Sequence, residues 1–338
     1  MARPAAPGEA QESLSNVKAY DCLLSRHCDQ VMGALLLSGE WCSELARKLS
    51  ERVGFPYYAL ITRKFPDGET YLRIPVEVSG RDVVLLICAG RRPNDALVEA
   101  VFSSTTLKRL GAKSVILVMP YFPYARQDSE FQRGEAVSLA IVSKMLEESG
   151  IDSLITVDMH LHRFKEISEV FSVPAYNVSV MPDLADYVEK ICRDCVVVAP
   201  DEEAEQWARV FSERLKSEYV VFKKKRLGDY QVEISGAIRG AERAVIVDDI
   251  ISTGATIATV AQALAESGVK EIIVACAHAL LADGAEGRVL GAGVREIIAS
   301  DTVVNPFMKV SAAPAIGVGI LHAIQEVKRL KASGDIVR

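Results

Sequence analysis

Short, uninterrupted apolar runs recur along this chain and alternate with longer stretches in which apolar residues return every three or four positions. The short runs have the length and β-branched content of strands buried on both faces. They predict strands at Gly33–Ser38, Tyr57–Thr62, Tyr71–Val76, Val83–Cys88, Ser114–Met119, Ser153–Val157, Val196–Ala199, Tyr219–Phe222, Tyr230–Ile234, Glu271–Ala277 and Val294–Ala299, with one more opening at Ala244. The periodic stretches predict helices near Glu40–Val53, Ala96–Leu110, Glu135–Ser149 and Pro182–Cys192, from Ile257 onward, and at Ala315–Leu330. A strand–helix alternation of this kind gives an α/β fold with mainly parallel sheets flanked by helices. The second half repeats the pattern of the first, so two similar domains are expected. We place residues 1–31 outside them as a poorly ordered N-terminal extension, and divide the rest into 32–176 and 177–338.

Composition narrows the picture. A chain of 338 residues exceeds what one core usually supports. A net charge of −6 argues against nucleic acid as a partner, because binding to a phosphate backbone requires a basic surface. No apolar run reaches membrane-spanning length. The seven cysteines are scattered and suggest no disulfide framework, which fits a cytoplasmic protein.

The chemistry concentrates where strands end. Ala244–Val247 leads through Asp248 and Asp249 into Ser252-Thr253-Gly254-Ala255-Thr256 and then a helix. Free backbone N–H groups, hydroxyls and a helix N-terminus make such a turn an anion site. The two carboxylates would repel an anion, so ribose hydroxyls or a divalent cation are their expected partners. Phe65-Pro66-Asp67-Gly68-Glu69 reads as a tight turn between strands. Its aromatic ring and carboxylate could serve a purine. Arg91 and Arg92 suggest a second anion loop. Arg126, Gln127 and Asp128 follow an aromatic stretch beyond the strand at Ser114, and His160 follows Asp158 beyond the strand at Ser153. Asp201 follows the strand at Val196 and is a candidate magnesium ligand. Lys224 and Arg226 belong to a run of four cations in an acidic protein, where loop cations can stabilise charge in phosphoryl transfer.

The 244–256 stretch resembles the phosphoribosyl-diphosphate (PRPP) signature of the type I phosphoribosyltransferase fold. Taken with the Phe65 turn, Arg126-Gln127-Asp128, Asp158-Met159-His160, Pro200-Asp201 and Lys224/Arg226 in that order, the chain resembles the ribose-phosphate diphosphokinases, or PRPP synthetases, from about Leu35 to Leu330. Phe131-Gln132-Arg133-Gly134-Glu135-Ala136, Ser252 and Met308–Pro314 resemble the archaeal-type branch. The resemblance implies transfer of the β,γ-diphosphoryl group of MgATP to the 1-hydroxyl of ribose 5-phosphate, giving PRPP and AMP, with Mg2+ as cofactor. Phe65, Asp67 and Glu69 would contact adenine, in a turn the family lends to a neighbouring subunit, so at least a homodimer is implied. Arg126, Gln127 and Asp128 would bind ATP, and His160 and Asp201 would hold MgATP. Asp248 and Asp249 would meet the ribose hydroxyls, and residues 252–256 the 5-phosphate. Lys224 and Arg226 would be the catalytic loop pair. The alternatives are a non-catalytic regulatory subunit and a PRPP-consuming phosphoribosyltransferase. Four positions depart from the family pattern: Cys88-Ala89 for Ser-Thr, Ser129-Glu130 for basic residues, Glu202-Glu203 after Pro-Asp, and Ala255 for Gly.

Overall fold

A computed structural model describes residues 33–161, 163–222, 238 and 240–334. Two compact units emerge. The first comprises the chain to Thr156, Arg163–Val178 and Ala313 onward, and the second comprises Val157–His162 and Ser179–Ala312.

In the first unit, strands β1 (Leu35–Ser38), β2 (Tyr57–Ala59), β5 (Asp82–Leu86), β6 (Ser114–Val118), β7 (Ser153–Val157) and β8 (Ala175–Val178) form one sheet in the order β2-β1-β5-β6-β7-β8. Every residue of β1, β5, β6 and β7 is buried, as a parallel sheet covered on both faces requires. Helices α1 (Ser43–Val53), α2 (Pro93–Arg109) and α3 (Ser138–Glu148) connect them. The strand expected over Tyr57–Thr62 divides at the buried Leu60: its second part becomes β3 (Ile61–Lys64) and pairs antiparallel with β4 (Thr70–Arg73) as a separate hairpin.

The second unit repeats the plan. Strands β9 (Val196–Ala199), β10 (Tyr219–Val221), β11 (Arg243–Ile251), β12 (Glu271–Ala279), β13 (Val294–Ser300) and β14 (Met308–Val310) run in the order β10-β9-β11-β12-β13-β14. Numbered within each six-stranded sheet, the two orders are identical, and the observed ladders in both sheets are parallel. Helices α4 (Met181–Ile191), α5 (Glu205–Leu215), α6 (Ala255–Glu266) and α7 (Ala285–Gly291) complete it. The elements β8, β14, α5 and α7 escaped the sequence pattern. The two strands are short edges, α7 has seven residues, and α5 buries only Ala208 and Phe211, too thin a stripe to read.

Two expectations need correction. The closing helix α8 (Ala313–Ser333) belongs to the first unit, so the second domain does not run unbroken from 177 to 338. Its apolar stripe, Ile316, Ile320, Ile324 and Val327, is buried, and its cations find acids of the first sheet. Lys328 Nζ lies 3.2 Å from Asp82, and Lys331 Nζ lies 2.8 Å from the buried Asp152, whose other oxygen accepts from the Val115 N–H at 2.7 Å. Second, four of the described cysteines pair, while the buried Cys276 stays free. Cys42 joins Cys88 across the ends of β1 and β5, with Cα atoms 5.5 Å apart. Cys192-Arg193-Asp194-Cys195 forms a second disulfide, Cα atoms 5.8 Å apart, from a C-x-x-C spacing that the sequence reading passed over. Cys88 thus stands where the family has serine because it has a partner. Among the described residues no helix is long and apolar enough to cross a membrane.

Candidate active site

The second sheet changes direction between β9 and β11: β10 lies outside β9, and β12 to β14 lie beyond β11. In open α/β sheets the crevice at the carboxyl ends of such a pair receives ligands. Asp201 stands just past β9. Its Oδ1 accepts the N–H groups of Glu203 and Ala204, each at 3.0 Å, which fixes the loop into the buried Ala204. Glu202 and Glu203 are exposed.

Asp248 and Asp249 do not end their strand, as the sequence suggested; β11 continues to Ile251. Asp248 Oδ1 accepts the Asp249 N–H at 3.0 Å and the two carboxylates touch each other, yet each has further neighbours of its own. Asp249 is buried, and its Oδ2 lies 2.7 Å from His160 Nδ1. Burial pushes Asp249 up, but the interaction with His160 outweighs it and leaves the pKa below the ordinary carboxylate value. For Asp248, burial and the charges of Asp249 and Asp201 act together and raise the pKa well above it. The two carboxylates therefore differ in their surroundings: Asp249 is paired with an imidazole, and Asp248 lies beside two other carboxylates.

Beyond β11 the chain turns through Ser252 and Thr253 to Gly254, which has φ 71° and precedes α6. No side chain caps this helix, so its first N–H groups are available to an anion. Thr253 and Thr256 are exposed at the rim, and the Thr253 carbonyl accepts from the Arg288 guanidinium of α7. Ala255, the departure from the family's glycine, is the first helical residue and has no positive φ. Alanine there is favoured over glycine by up to ~1 kcal/mol. Sequence reasoning had no signal for Arg288, which lies 35 residues downstream.

His160 is carried by a distorted turn. Asp158 has φ 38°, a left-handed conformation that costs a non-glycine residue ~1–2 kcal/mol. Its Oδ2 accepts the Val180 N–H at 2.8 Å, at the start of α4, while Oδ1 is buried with no hydrogen-bond partner among the described residues. Burial raises the Asp158 pKa to about 7. Between pH 7 and 4 the folded state keeps a proton that the unfolded chain, titrating at its ordinary 3.8, has released; this group therefore adds stability as pH falls. Asp158→Asn is expected to gain stability over the wild type at pH 7 and above and to lose that advantage progressively as pH falls toward 3.8. Urea unfolding midpoints across that range check this, and a constant difference would refute it.

The first unit holds the remaining described candidates. Phe65 and Glu69 close the β3–β4 hairpin through the Phe65 N–H to the Glu69 carbonyl at 2.8 Å, and Asp67 Oδ1 accepts the Glu69 N–H at 3.2 Å. The Arg63 guanidinium lies 4.6 Å from the Phe65 ring centre and 4.4 Å from that of Tyr71, so one face of Phe65 is already covered. Arg126 is exposed. Gln127 Nε2 donates to Glu135 at 3.1 Å, and Asp128 pairs with Arg163 at 3.2 Å. Glu135 also accepts the N–H groups of Phe131 and Gln132, and Glu130 that of Gly134, which gives the acidic Glu130 a role in shaping the loop. Arg92 is spent on Glu99 at 2.9 Å and on the face of Trp41 at 4.8 Å, leaving Arg91 exposed. Lys224 and Arg226 lie outside the described residues.

Among the described residues no three His, Cys, Asp or Glu side chains converge on a metal position. Magnesium needs no such cage: it keeps waters and binds through one or two carboxylates with substrate phosphates. The hard oxygens of Asp201 and Asp248 fit that demand.

The family model for the N-terminal domain of ribose phosphate pyrophosphokinase matches residues 34–150, and that for the phosphoribosyl transferase domain matches residues 180–305. The chain is 38% identical over 275 residues to the ribose-phosphate pyrophosphokinase of Methanothermobacter thermautotrophicus, covering 81% of this chain and 95% of that protein. It is 34% identical over 284 residues to ribose-phosphate pyrophosphokinase 1 of Archaeoglobus fulgidus, covering 83% and 98%. The crystal structure of phosphoribosylpyrophosphate synthetase from Mycobacterium smegmatis superposes with a TM-score of 0.78 at 28% identity, covering 87% of this chain and 99% of that one.

Proposed function

The chain belongs to the ribose-phosphate pyrophosphokinase family, and from that premise we propose how its residues divide the work. The enzyme moves the β,γ-diphosphoryl group of ATP to the 1-hydroxyl of ribose 5-phosphate. The 1-hydroxyl oxygen bonds to the β-phosphorus, the bond between the β-phosphorus and the α,β-bridging oxygen breaks, AMP leaves carrying that oxygen, and the hydroxyl proton is released to solvent. The uncapped start of α6 carries the assignment of the acceptor half: N–H groups and hydroxyls of residues 252–256 receive the 5-phosphate beside Asp248. Asp248 and Asp249 serve the ribose hydroxyls, and Asp249 also orients His160. Asp201 and His160 hold MgATP, in which the magnesium neutralises phosphate charge. In the first unit Arg126, Gln127 and Asp128 contact ATP, and the free face of Phe65, with Asp67 and Glu69, takes the adenine. Lys224 and Arg226 stabilise the transferring charge. With charge neutralisation and positioning as the catalytic devices, no protein nucleophile is required.

A second copy belongs to this reading, because the family's hairpin turn serves a neighbouring site. The exposed apolar face formed by Val98 and Phe102 of α2 with Ile141 and Met145 of α3 supplies surface for one. The cytoplasm, where ATP is held, is the compartment implied.

The deciding experiment supplies purified protein with MgATP and ribose 5-phosphate and follows AMP and PRPP by chromatography. Equal release of the two is expected. Ribose 5-phosphate binding without AMP would turn the reading toward a regulatory subunit. Pyrophosphate release from PRPP and a nucleobase would turn it toward a transferase.

A further inference from the structure

His278 is a buried, uncharged side chain at the end of β12 to which the reaction assigns nothing. Its Nε2 lies 2.9 Å from the Val157 carbonyl and its Nδ1 lies 2.8 Å from Thr302 Oγ1. A carbonyl only accepts, so the ring proton sits on Nε2, and Nδ1 accepts the Thr302 hydroxyl. The Ala277 carbonyl, near both hydroxyls, is then left to Ser300 Oγ at 2.7 Å. In this arrangement the ring N–H and both hydroxyls find acceptors. Burial holds the imidazole pKa down to about 4, so this arrangement persists through neutral pH.

We propose that His278 is a positioning residue for the reaction: by donating Nε2–H to the Val157 carbonyl it fixes the Val157–His160 turn and so aims the His160 imidazole. Three contacts, all within the second unit, fasten this turn. His278 holds Val157 O, Val180 N–H holds Asp158 Oδ2 at 2.8 Å, and Asp249 Oδ2 receives His160 Nδ1 at 2.7 Å. The turn needs them, since the left-handed Asp158 persists only where its surroundings over-determine it. Asp249 lies on β11 and His278 is paired in register with Ile250 of that strand, so one sheet edge grips both ends of the four-residue turn. Orienting groups behind a ligand typically change affinity or activity 10- to 100-fold.

The inference rests on the reading of His160 as a contact of MgATP, and the test separates the two. In His278→Leu the KM for MgATP is expected to rise at least ~10-fold while that for ribose 5-phosphate stays within about 2-fold. His278→Gln, whose side-chain N–H can reach the same carbonyl, restores most of it. The 1H–13C signal of the His160 ring, assigned by its loss in His160→Ala, shifts in the leucine variant and returns in the glutamine variant. His278→Met serves as the apolar probe if leucine does not fold. Equal losses of kcat in both variants, with no KM split and no movement of the His160 signal, would show a merely structural residue and overturn the proposal. An unchanged KM for MgATP in His160→Ala defeats only the reading of His160, and the ring signal still decides whether His278 aims it.

Discussion

Asp249→Asn is expected to lower kcat/KM by about 10²- to 10³-fold while leaving the protein folded. The size follows from what the carboxylate does in two places at once. An ionised Asp249 accepts from His160 Nδ1–H at 2.7 Å, which places the lone pair of the neutral ring on Nε2. An asparagine amide at that position can offer N–H instead, which flips the ring to the other tautomer and moves that lone pair to Nδ1. The same substitution weakens the acceptor for a ribose hydroxyl. Because Asp249 and His160 act as a unit, the double variant with His160→Ala should lose little more than the worse single one. Steady-state kinetics on the three proteins checks both statements. Full additivity would separate the two residues, and an unchanged kcat/KM in Asp249→Asn would remove the carboxylate from the reaction.

Positions that depend on local spacing were legible in the sequence, and contacts between distant residues were not. The turn 252–256, Asp201 and His160 each follow a buried strand, and the apolar runs located those strands to within a few residues. The same runs misplaced the end of β11, because Asp248 and Asp249 interrupt an apolar pattern that Ile250 and Ile251 then resume. His278 sat inside the apolar run Ile272–Ala279 and looked like core; its partner Val157 is 121 residues away. Cys42 and Cys88 lie 46 residues apart and meet only because β1 and β5 are neighbours in the sheet. The closing helix was read correctly as a helix, but its docking rests on Asp82 and Asp152, single acids that mark nothing until the sheet is assembled. Three of the four departures from the family pattern resolve in the same way. Cys88 has a disulfide partner, Glu130 accepts from the backbone of its own loop, and Ala255 sits where a helix prefers it.

Gly254→Ala is expected to destabilise the second unit by roughly 2–5 kcal/mol and to raise the KM for ribose 5-phosphate in whatever fraction still folds. Two independent penalties meet at this residue. At φ 71° a Cβ costs ~1–2 kcal/mol from the backbone alone. That Cβ would also stand 2.6 Å from Val289 Cγ2 and 3.3 Å from the Ala285 carbonyl, inside the α6–α7 contact, where overpacking costs a further ~1–3 kcal/mol. Relief requires α7 to shift, and α7 carries Arg288, whose guanidinium holds the Thr253 carbonyl of the phosphate turn. Strain at Gly254 therefore reaches the N–H groups offered to the 5-phosphate, whereas a residue that only packs would lower stability without touching KM. Val289→Ala in the same chain is the control. It opens the space the new methyl needs, so it should recover the packing share of the loss and leave the backbone share. Urea unfolding of the single and double variants, with ribose 5-phosphate titrations on each, separates the two. Equal stability of Gly254→Ala and wild type would mean that the turn reaches its geometry without a left-handed residue.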